Sequence, residues 1–329
     1  MATWAVFGAG SWGTALALVL ARNGHSVRLW GHNAEHVARL REARENARFL
    51  PGVALPAKIE PVAELDAACE ADEWLVVVPS HGFRDLLAQL AQRLGSRRHL
   101  AWATKGLDAA SGGLLHNVAA EIVPGIVSGV ISGPSFAREV GAGLPTAVTA
   151  ASADAEYAQT LAAAFHSEQF RVYTSPDIAG VELGGSVKNV MAIATGVSDG
   201  LGLGANARAA LVTRGLAEIL RLGEALQVDA RTLMGLSGMG DLILTCTDDQ
   251  SRNRRMGLAL GRGKTIAEAQ AEIGQTVEGL RTAGEVHLLA RSLGVEMPIC
   301  EQVYCLLQGD VDARDSAQAL MLRSQKPEF

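Results

Sequence analysis

Cysteine is scarce in this chain of 329 residues: Cys69, Cys246, Cys300 and Cys305 are the only four, none in a CxxC pair or a His/Cys group with zinc spacing. They read as buried thiols in a reducing, cytoplasmic compartment, and no metal is expected. Positive charge is also in short supply. Twenty-nine Lys and Arg against 35 Asp and Glu leave a net charge of −6. That is the wrong sign for a general nucleic-acid binder, so any anion must be met by a local cluster. No run of about twenty uninterrupted apolar residues is present to cross a bilayer, so membrane insertion is not expected. The apolar N-terminus lacks the basic start of a secretion signal, its first cation being Arg22. Internal repeats and low-complexity segments are missing as well. What remains is an ordinary globular composition, 48% hydrophobic, in a chain long enough for two domains.

The most informative stretch is Gly8-Ala9-Gly10-Ser11-Trp12-Gly13, between a strand-like run, Trp4 to Phe7, and a helix-like run, Thr14 to Ala21. A GxGxxG alone is weak. Between strand and helix it has a mechanism. Gly8 permits the tight turn, Gly10 lets backbone approach a pyrophosphate, and Gly13 lets helix and strand pack closely. The helix N-terminus then holds the negative charge. The alternative is an ordinary strand–helix turn. The second strand, Val27 to Trp30, ends in Gly31-His32-Asn33, with the first acid only at Glu35. An NAD-selective site places Asp or Glu at that end to accept from the ribose 2′-OH. No carboxylate here repels a 2′-phosphate and His32 with Asn33 can donate to one, so NADP is acceptable beside NAD. His32 as a solvated loop residue is the plainer reading.

Strand-like and helix-like segments alternate through the first half: Trp74 to Val78, a helix over Phe83 to Leu94, then strands at His99 to Ala103, Ile126 to Ile131 and Thr146 to Ala150. This predicts α/β architecture, a doubly wound Rossmann-type parallel sheet with helices on both faces, over residues 1–177. Asn46 to Pro61, rich in Pro and Gly, reads as an irregular excursion. From Ile178 onward helical patterns take over, including Arg208 to Leu226 with Val212, Leu216, Ile219 and Leu226 on one face. Residues 178–329 therefore read as an all-helical domain, with the active site expected in the cleft between the halves.

Lys188 lies in Val181–Ile193, an otherwise mostly apolar helical stretch. An unpaired ammonium buried there is costly, so it must meet an anion or give up its proton; alternatively its stem lies along the core and its head reaches water. Gly184 and Gly185, one turn earlier, would leave space for a ligand. Lys105 follows the strand His99 to Ala103, at the carboxyl end where α/β folds bind ligands, though a surface lysine is equally ordinary there. Gly133-Pro134-Ser135-Phe136-Ala137 follows the next strand and offers backbone donors and a hydroxyl. Ser251-Arg252-Asn253-Arg254-Arg255 reads as a helix start capped by Ser251, suited to a phosphate dianion, or as a solvated basic face. Asp241, among glycines in Ser237–Asp241, accepts from substrate hydroxyls or caps the next helix.

Together these motifs resemble the soluble bacterial NAD(P)-dependent glycerol-3-phosphate dehydrogenases. The matching stretches are GAGSWGTALA (Gly8 to Ala17), ATKG (Ala103 to Gly106), SGPSFA (Ser132 to Ala137) and VKNVMAIATG (Val187 to Gly196). LSGMGDLILTC (Leu236 to Cys246), SRN (Ser251 to Asn253) and VEG (Val277 to Gly279) continue the series in family order over nearly the whole chain. The resemblance implies a Rossmann-type domain followed by a helical one, and NAD(P)H-dependent interconversion of dihydroxyacetone phosphate and sn-glycerol 3-phosphate for phospholipid synthesis. It places cofactor contacts at Ser11, Trp12, His32, Lys105, Ala137, Arg252 and Glu278, beside the motif's own Gly8, Gly10 and Gly13. Thr276 stands where the family has an aliphatic cofactor contact. Substrate contacts fall on Lys105, Gly133, Ser135, Lys188, Asp241, Ser251, Arg252 and Asn253. Lys188 matches the proton acceptor, with Lys105 beside it stabilising the developing alkoxide; the sequence does not fix the oligomeric state, and a homodimer is one assembly open to it. Two rival readings are a 3-hydroxy acid dehydrogenase of the 6-phosphogluconate-like class and a non-catalytic dinucleotide-sensing regulator.

Overall fold

The structure is a computed structural model that describes residues 1–323; positions 324–329, the end of the expected helical region, lie outside the described residues. The chain divides into two compact units, Met1–Glu182 and Leu183–Phe329. In the first, the order is β1 (Thr3–Phe7), α1 (Ser11–Arg22), β2 (Ser26–Trp30), α2 (Ala34–Ala43), β3 (Glu45–Asn46), β4 (Leu50–Ala54), β5 (Ile59–Val62), α3 (Leu65–Cys69) and β6 (Glu73–Val76). It continues with α4 (Phe83–Ala91), β7 (His99–Trp102), α5 (Leu115–Ile122), β8 (Val127–Ser132), α6 (Ala137–Ala142), β9 (Thr146–Ala151), α7 (Ala155–Phe165) and β10 (Phe170–Ser175).

Eight strands form one sheet in the order β10-β9-β8-β7-β6-β1-β2-β5. Period-two alternation explains its two covered faces. Trp4 and Val6 of β1 join a core with α1 and α7, while Ala5 and Phe7 join a second core with α3, α4 and α5. Strand order reverses between β1 and β6, which makes the carboxyl ends of these two strands the switch point where open α/β sheets bind ligands.

Three features depart from the sequence reading. First, the sheet is not wholly parallel: β8 and β9 pair antiparallel. The connection, residues 133–145, holds only the short α6, about 9 Å long, and is near the lower limit of length for a parallel crossover. Second, the stretch Asn46 to Pro61 is structured. It contains most of the β3–β4 hairpin and most of β5, an edge strand parallel to β2. Pro61 hid β5 from the sequence, yet an edge strand tolerates a residue that cannot donate. Third, β10 lies beyond every strand candidate, at the other edge, where few of its residues are buried.

α8 (Ile178–Gly200) begins in the first unit and runs on through the second, followed by α9 (Gly204–Ala225), α10 (Ala230–Leu233), a π-helical turn over Leu236–Gly240 and α11 (Asp241–Thr247). Then come α12 (Arg252–Gly261), α13 (Ile266–Ile273), α14 (Gly279–Leu293), α15 (Pro298–Gln308) and α16 (Ala313–Met321). The buried stripe of α9 is Gly215, Glu218, Ile219, Leu222 and Gly223. Of the face expected there, Ile219 is buried while Val212 and Leu216 are half-buried.

α8 and α12 cross backbone to backbone. A methyl group at Gly196 would lie 2.2 Å from the Arg254 carbonyl oxygen, and one at Gly257 only 2.1 Å from that of Ile193. One turn on, Gly200 and Gly261 repeat the contact. Nearby, the buried Glu218 carboxylate caps α15 by accepting from the backbone N–H groups of Ile299 (2.7 Å) and Cys300 (3.2 Å). Burial outweighs those two bonds and pushes the carboxyl up to about 7. Among the described residues no helix is long and apolar enough to cross a membrane, and no group of three or more His, Cys, Asp or Glu could hold a metal ion.

Candidate active site

The glycine turn follows β1 directly. Gly8 sits at φ +132°, and a side chain there would strike the Val77 carbonyl oxygen at 2.4 Å, just past β6. At Gly13 a methyl would fall 1.8 Å from the Gly8 oxygen, so the start of α1 packs on the turn with no room to spare. Gly10 is different: a methyl there meets nothing within 4 Å. No protein atom requires glycine at that position. Gly10 is also the N-cap of α1 and offers no side chain to the helix, so the first-turn N–H groups have no side-chain cap. A helix start with open space before it is what a pyrophosphate needs.

The β3–β4 hairpin is fastened to this turn. The Ser11 hydroxyl donates to the Phe49 carbonyl at 2.6 Å. Buried Asn46 donates to the Ala9 carbonyl (3.1 Å) and the Thr14 hydroxyl (2.8 Å). Ser11 is therefore tied to the hairpin, while Trp12 is half-buried against the sheet core. His32 is exposed beyond β2, and Asn33 caps α2 by accepting from the His36 N–H at 2.8 Å. The sequence carried no signal for the hairpin's role, because its links to the turn span more than 30 positions.

At the carboxyl ends of β7 and β8, Lys105 and Ser135 share an acceptor. The Gly133 carbonyl receives the Lys105 ammonium at 3.2 Å and the Ser135 hydroxyl at 2.9 Å. Gly133 itself lies at φ +154° with Val148 Cα 2.9 Å from where a Cβ would sit. Ala137 opens α6 and packs on the core around β1 and α1. Trp102, the last residue of β7, donates from its indole N–H to the buried Glu182 carboxylate at 2.8 Å, whose other oxygen meets His116 at 2.6 Å. The loop after Lys105 is held by Arg84, which bridges Asp108 and Glu121. Burial opposes the Asp108 charge, but Arg84 and Ser111 outweigh it and hold the carboxyl below its ordinary value.

In the second unit, Lys188 is 7% exposed and its Nζ lies 2.5 Å from Asp241 Oδ1. The buried ammonium thus meets an anion. Asp241 is the first residue of α11 and 1% exposed; its Oδ1 also accepts from the Thr245 hydroxyl at 3.3 Å, and α11 has no side-chain cap. The space expected beside Gly184 is filled, because a methyl there would meet the Ser237 carbonyl oxygen at 2.6 Å. That glycine lets the Leu236–Gly240 turn approach α8 and so sets Asp241 against Lys188.

Ser251 caps α12, accepting from the Arg254 N–H at 3.2 Å. Asn253 joins three segments: its amide donates to Asn189 Oδ1 (2.8 Å) and its oxygen accepts from the Gly279 N–H (2.9 Å). Asn189, adjacent to Lys188, keeps a buried amide nitrogen that has no hydrogen-bond partner among the described residues. Arg252 is half-buried and reaches Gln275 at 3.5 Å; Glu278, just before α14, is half-buried and Thr276 exposed. The arginines following Arg252 divide. Arg254 is buried between Asp199 and Asp249, with Arg208 on the same Asp199, so it is an internal tie and not part of a solvated face.

Residues 3–158 match the family model for the NAD-dependent glycerol-3-phosphate dehydrogenase N-terminus, and residues 177–318 match that for its C-terminus. A glycerol-3-phosphate dehydrogenase [NAD(P)+] of Halorhodospira halophila is 57% identical over 99% of this chain and 98% of its own length. One from Thioalkalivibrio sulfidiphilus is 58% identical, again over 99% and 98%. Among solved structures, glycerol-3-phosphate dehydrogenase from Coxiella burnetii superposes with a TM-score of 0.95 at 48% identity, covering 98% of this chain and 99% of that one.

Proposed function

The chain belongs to the NAD-dependent glycerol-3-phosphate dehydrogenase family, and we propose that its turnover runs through one buried amine, Lys188. It is an oxidoreductase that uses NAD(P)H to reduce dihydroxyacetone phosphate to sn-glycerol 3-phosphate, a precursor of phospholipids. The glycine turn fits the cofactor's pyrophosphate: Gly10 opens onto free space at an uncapped helix start. In the proposal Gly8, Gly10, Ser11, Trp12 and Gly13 hold it, with His32, Lys105, Ala137, Arg252, Thr276 and Glu278 as further contacts. When bound, the reduced nicotinamide supplies hydride to the ketone carbon.

The protein's part is the proton and the charge. Lys188 Nζ donates a proton to the carbonyl oxygen during reduction and takes it back in oxidation. Asp241 fixes the ammonium, and Lys105 adds a second positive charge to the growing alkoxide. Gly133 and Ser135 contact the substrate beside Lys105. Ser251, Arg252 and Asn253 hold the phosphate, whose binding energy positions the reacting carbon. The observation carrying this reading is the buried Lys188–Asp241 pair at 2.5 Å, a charged couple that packing alone does not require. The buried Asn189 amide beside it is a further donor that an anionic substrate would satisfy.

Loss of nicotinamide absorbance with dihydroxyacetone phosphate, compared with a panel of 2- and 3-oxo acids, tests the substrate. Turnover confined to the triose phosphate supports it, and equal or greater rates with an oxo acid contradict it. A cytoplasmic homodimer belongs to the same proposal: the four cysteines are free thiols, suited to a reducing compartment. Light scattering at the mass of one chain would count against the dimer.

A further inference from the structure

The helix start that carries Ser251, Arg252 and Asn253 is held from behind. Arg254, the third residue of α12, is 6% exposed. Its Nε donates to Asp249 at 2.9 Å, and its Nη1 donates to Asp199, near the end of α8. The same Nη1 lies 3.5 Å from the Cys246 carbonyl of α11. The backbone of Arg254 is pinned as well. Its N–H donates to the Ser251 hydroxyl oxygen at 3.2 Å, and its carbonyl oxygen rests on Gly196 of α8. Arg208 of α9 completes the tie by donating to Asp199 at 2.8 Å. Burial opposes the Asp199 charge, but Arg208 and Arg254 outweigh it and hold the carboxyl below its ordinary value. Arg254 and Arg208 thus face Asp199 and Asp249, two cations against two anions, and this cluster has no net charge to offer a ligand. Arg252 differs. It pairs with no carboxylate among the described residues and reaches only the neutral Gln275 oxygen, at 3.5 Å. Between the two arginines, Asn253 donates to Asn189, the neighbour of Lys188, at 2.8 Å.

We infer that Arg254 is a positioning residue for the substrate phosphate. Without touching the phosphate, it locks the start of α12 against α8 and so sets where Ser251, Arg252 and Asn253 grip relative to Lys188. The inference rests on the reading that those three residues hold the phosphate. Lys188 and Asn189 ride on α8, so a shift of α12 along it changes the span from phosphate grip to proton donor. A displacement of about 1 Å made away from the chemistry can cost about 100-fold in rate. Arginine suits the task because its planar fork engages two carboxylates with separate nitrogens, whereas an ammonium is a single point of charge.

Dihydroxyacetone, the same ketone without its phosphate, isolates the grip, and inorganic phosphate as a competitor probes it directly. Arg254→Met leaves Asp199 paired with Arg208 and Asp249 at the surface, 72% exposed, so no carboxylate is stranded in the interior. Its kcat/KM for dihydroxyacetone phosphate should fall roughly 10- to 100-fold, while that for dihydroxyacetone stays within about twofold. The KI of inorganic phosphate should rise in step. Arg254→Lys should recover part of both losses. Asp249→Ala, which removes only the exposed anchor, should show a smaller fall of the same pattern and covers the case of an Arg254→Met chain that does not fold. Equal losses with both ketones, or an unchanged phosphate KI, overturn the inference. Arg252→Ala then separates the two readings: a raised phosphate KI in that variant leaves the phosphate site standing, and an unchanged one overturns the site as well.

Discussion

Glycine serves opposite ends in the two units. In the first, Gly10 borders open space, and in the proposed function what requires it is a ligand. In the second, Gly196 and Gly257 are pressed against the backbone of a neighbouring helix, and what requires them is the fold. The two lysines differ in the same way. Lys105 is half-buried and donates to the Gly133 carbonyl, whereas Lys188 is buried against a carboxylate. The lesson is that one residue type can mark a site in one region and a packing contact in another. Only the surrounding atoms tell them apart.

The lysine contrast should give the largest effect. Asp241→Ala strips a buried ammonium of its counter-charge and should cost about 3–5 kcal/mol in stability, read from denaturant midpoints. Lys105→Ala should cost about 1 kcal/mol for the hydrogen bond it loses to the Gly133 carbonyl at 3.2 Å. Equal losses would erase the distinction. The glycine contrast comes next. Gly257→Ala forces a methyl into a carbonyl oxygen 2.1 Å away and should destabilise by about 2–3 kcal/mol. Gly10→Ala should leave thermal stability within about 1 kcal/mol while weakening NADPH binding by fluorescence titration. A Gly10 variant that melts early but binds normally would reverse the assignment.

A smaller, pH-dependent effect sharpens the picture of the helical unit. Glu218 rises from an ordinary 4.5 to about 7 on folding, so the folded state keeps a proton the unfolded state has released. Its stabilising contribution is full below pH 4.5 and is lost as pH climbs through 7, about 3 kcal/mol in all. Glu218→Gln should flatten that slope in urea melts taken from pH 5 to 8. A slope unchanged by the substitution removes Glu218 as its source. Subtlest of all, Arg252→Ala should raise KM for the phosphorylated substrate several-fold, about 1 kcal/mol or more for one lost charge-assisted bond. Unchanged KM would take Arg252 out of the phosphate site.

Much of the fold was legible because its signals are local. β1, the glycine turn and α1 are contiguous, and the apolar runs of β6, β7 and β8 are buried on both faces as their composition requires. What stayed hidden depends on contacts distant in sequence. Pro61 masked an edge strand, and nothing in residues 45–54 indicates that they fold onto Ala9, Ser11 and Thr14. Gly184 carried a correct sign of close approach and the wrong cause, since periodicity cannot tell a ligand from the Ser237 backbone. Lys188 was singled out because a charge in an apolar helix must be answered. That the answer is Asp241, 53 positions away, required the fold.

The decisive measurement is kcat for Lys188→Ala with dihydroxyacetone phosphate and NADPH, at a temperature where the variant is folded, beside NADPH affinity by fluorescence titration. Removal of the proton donor should lower kcat by about 10²- to 10⁴-fold while the cofactor still binds. Turnover within about tenfold of the wild type would show that the proton comes from elsewhere.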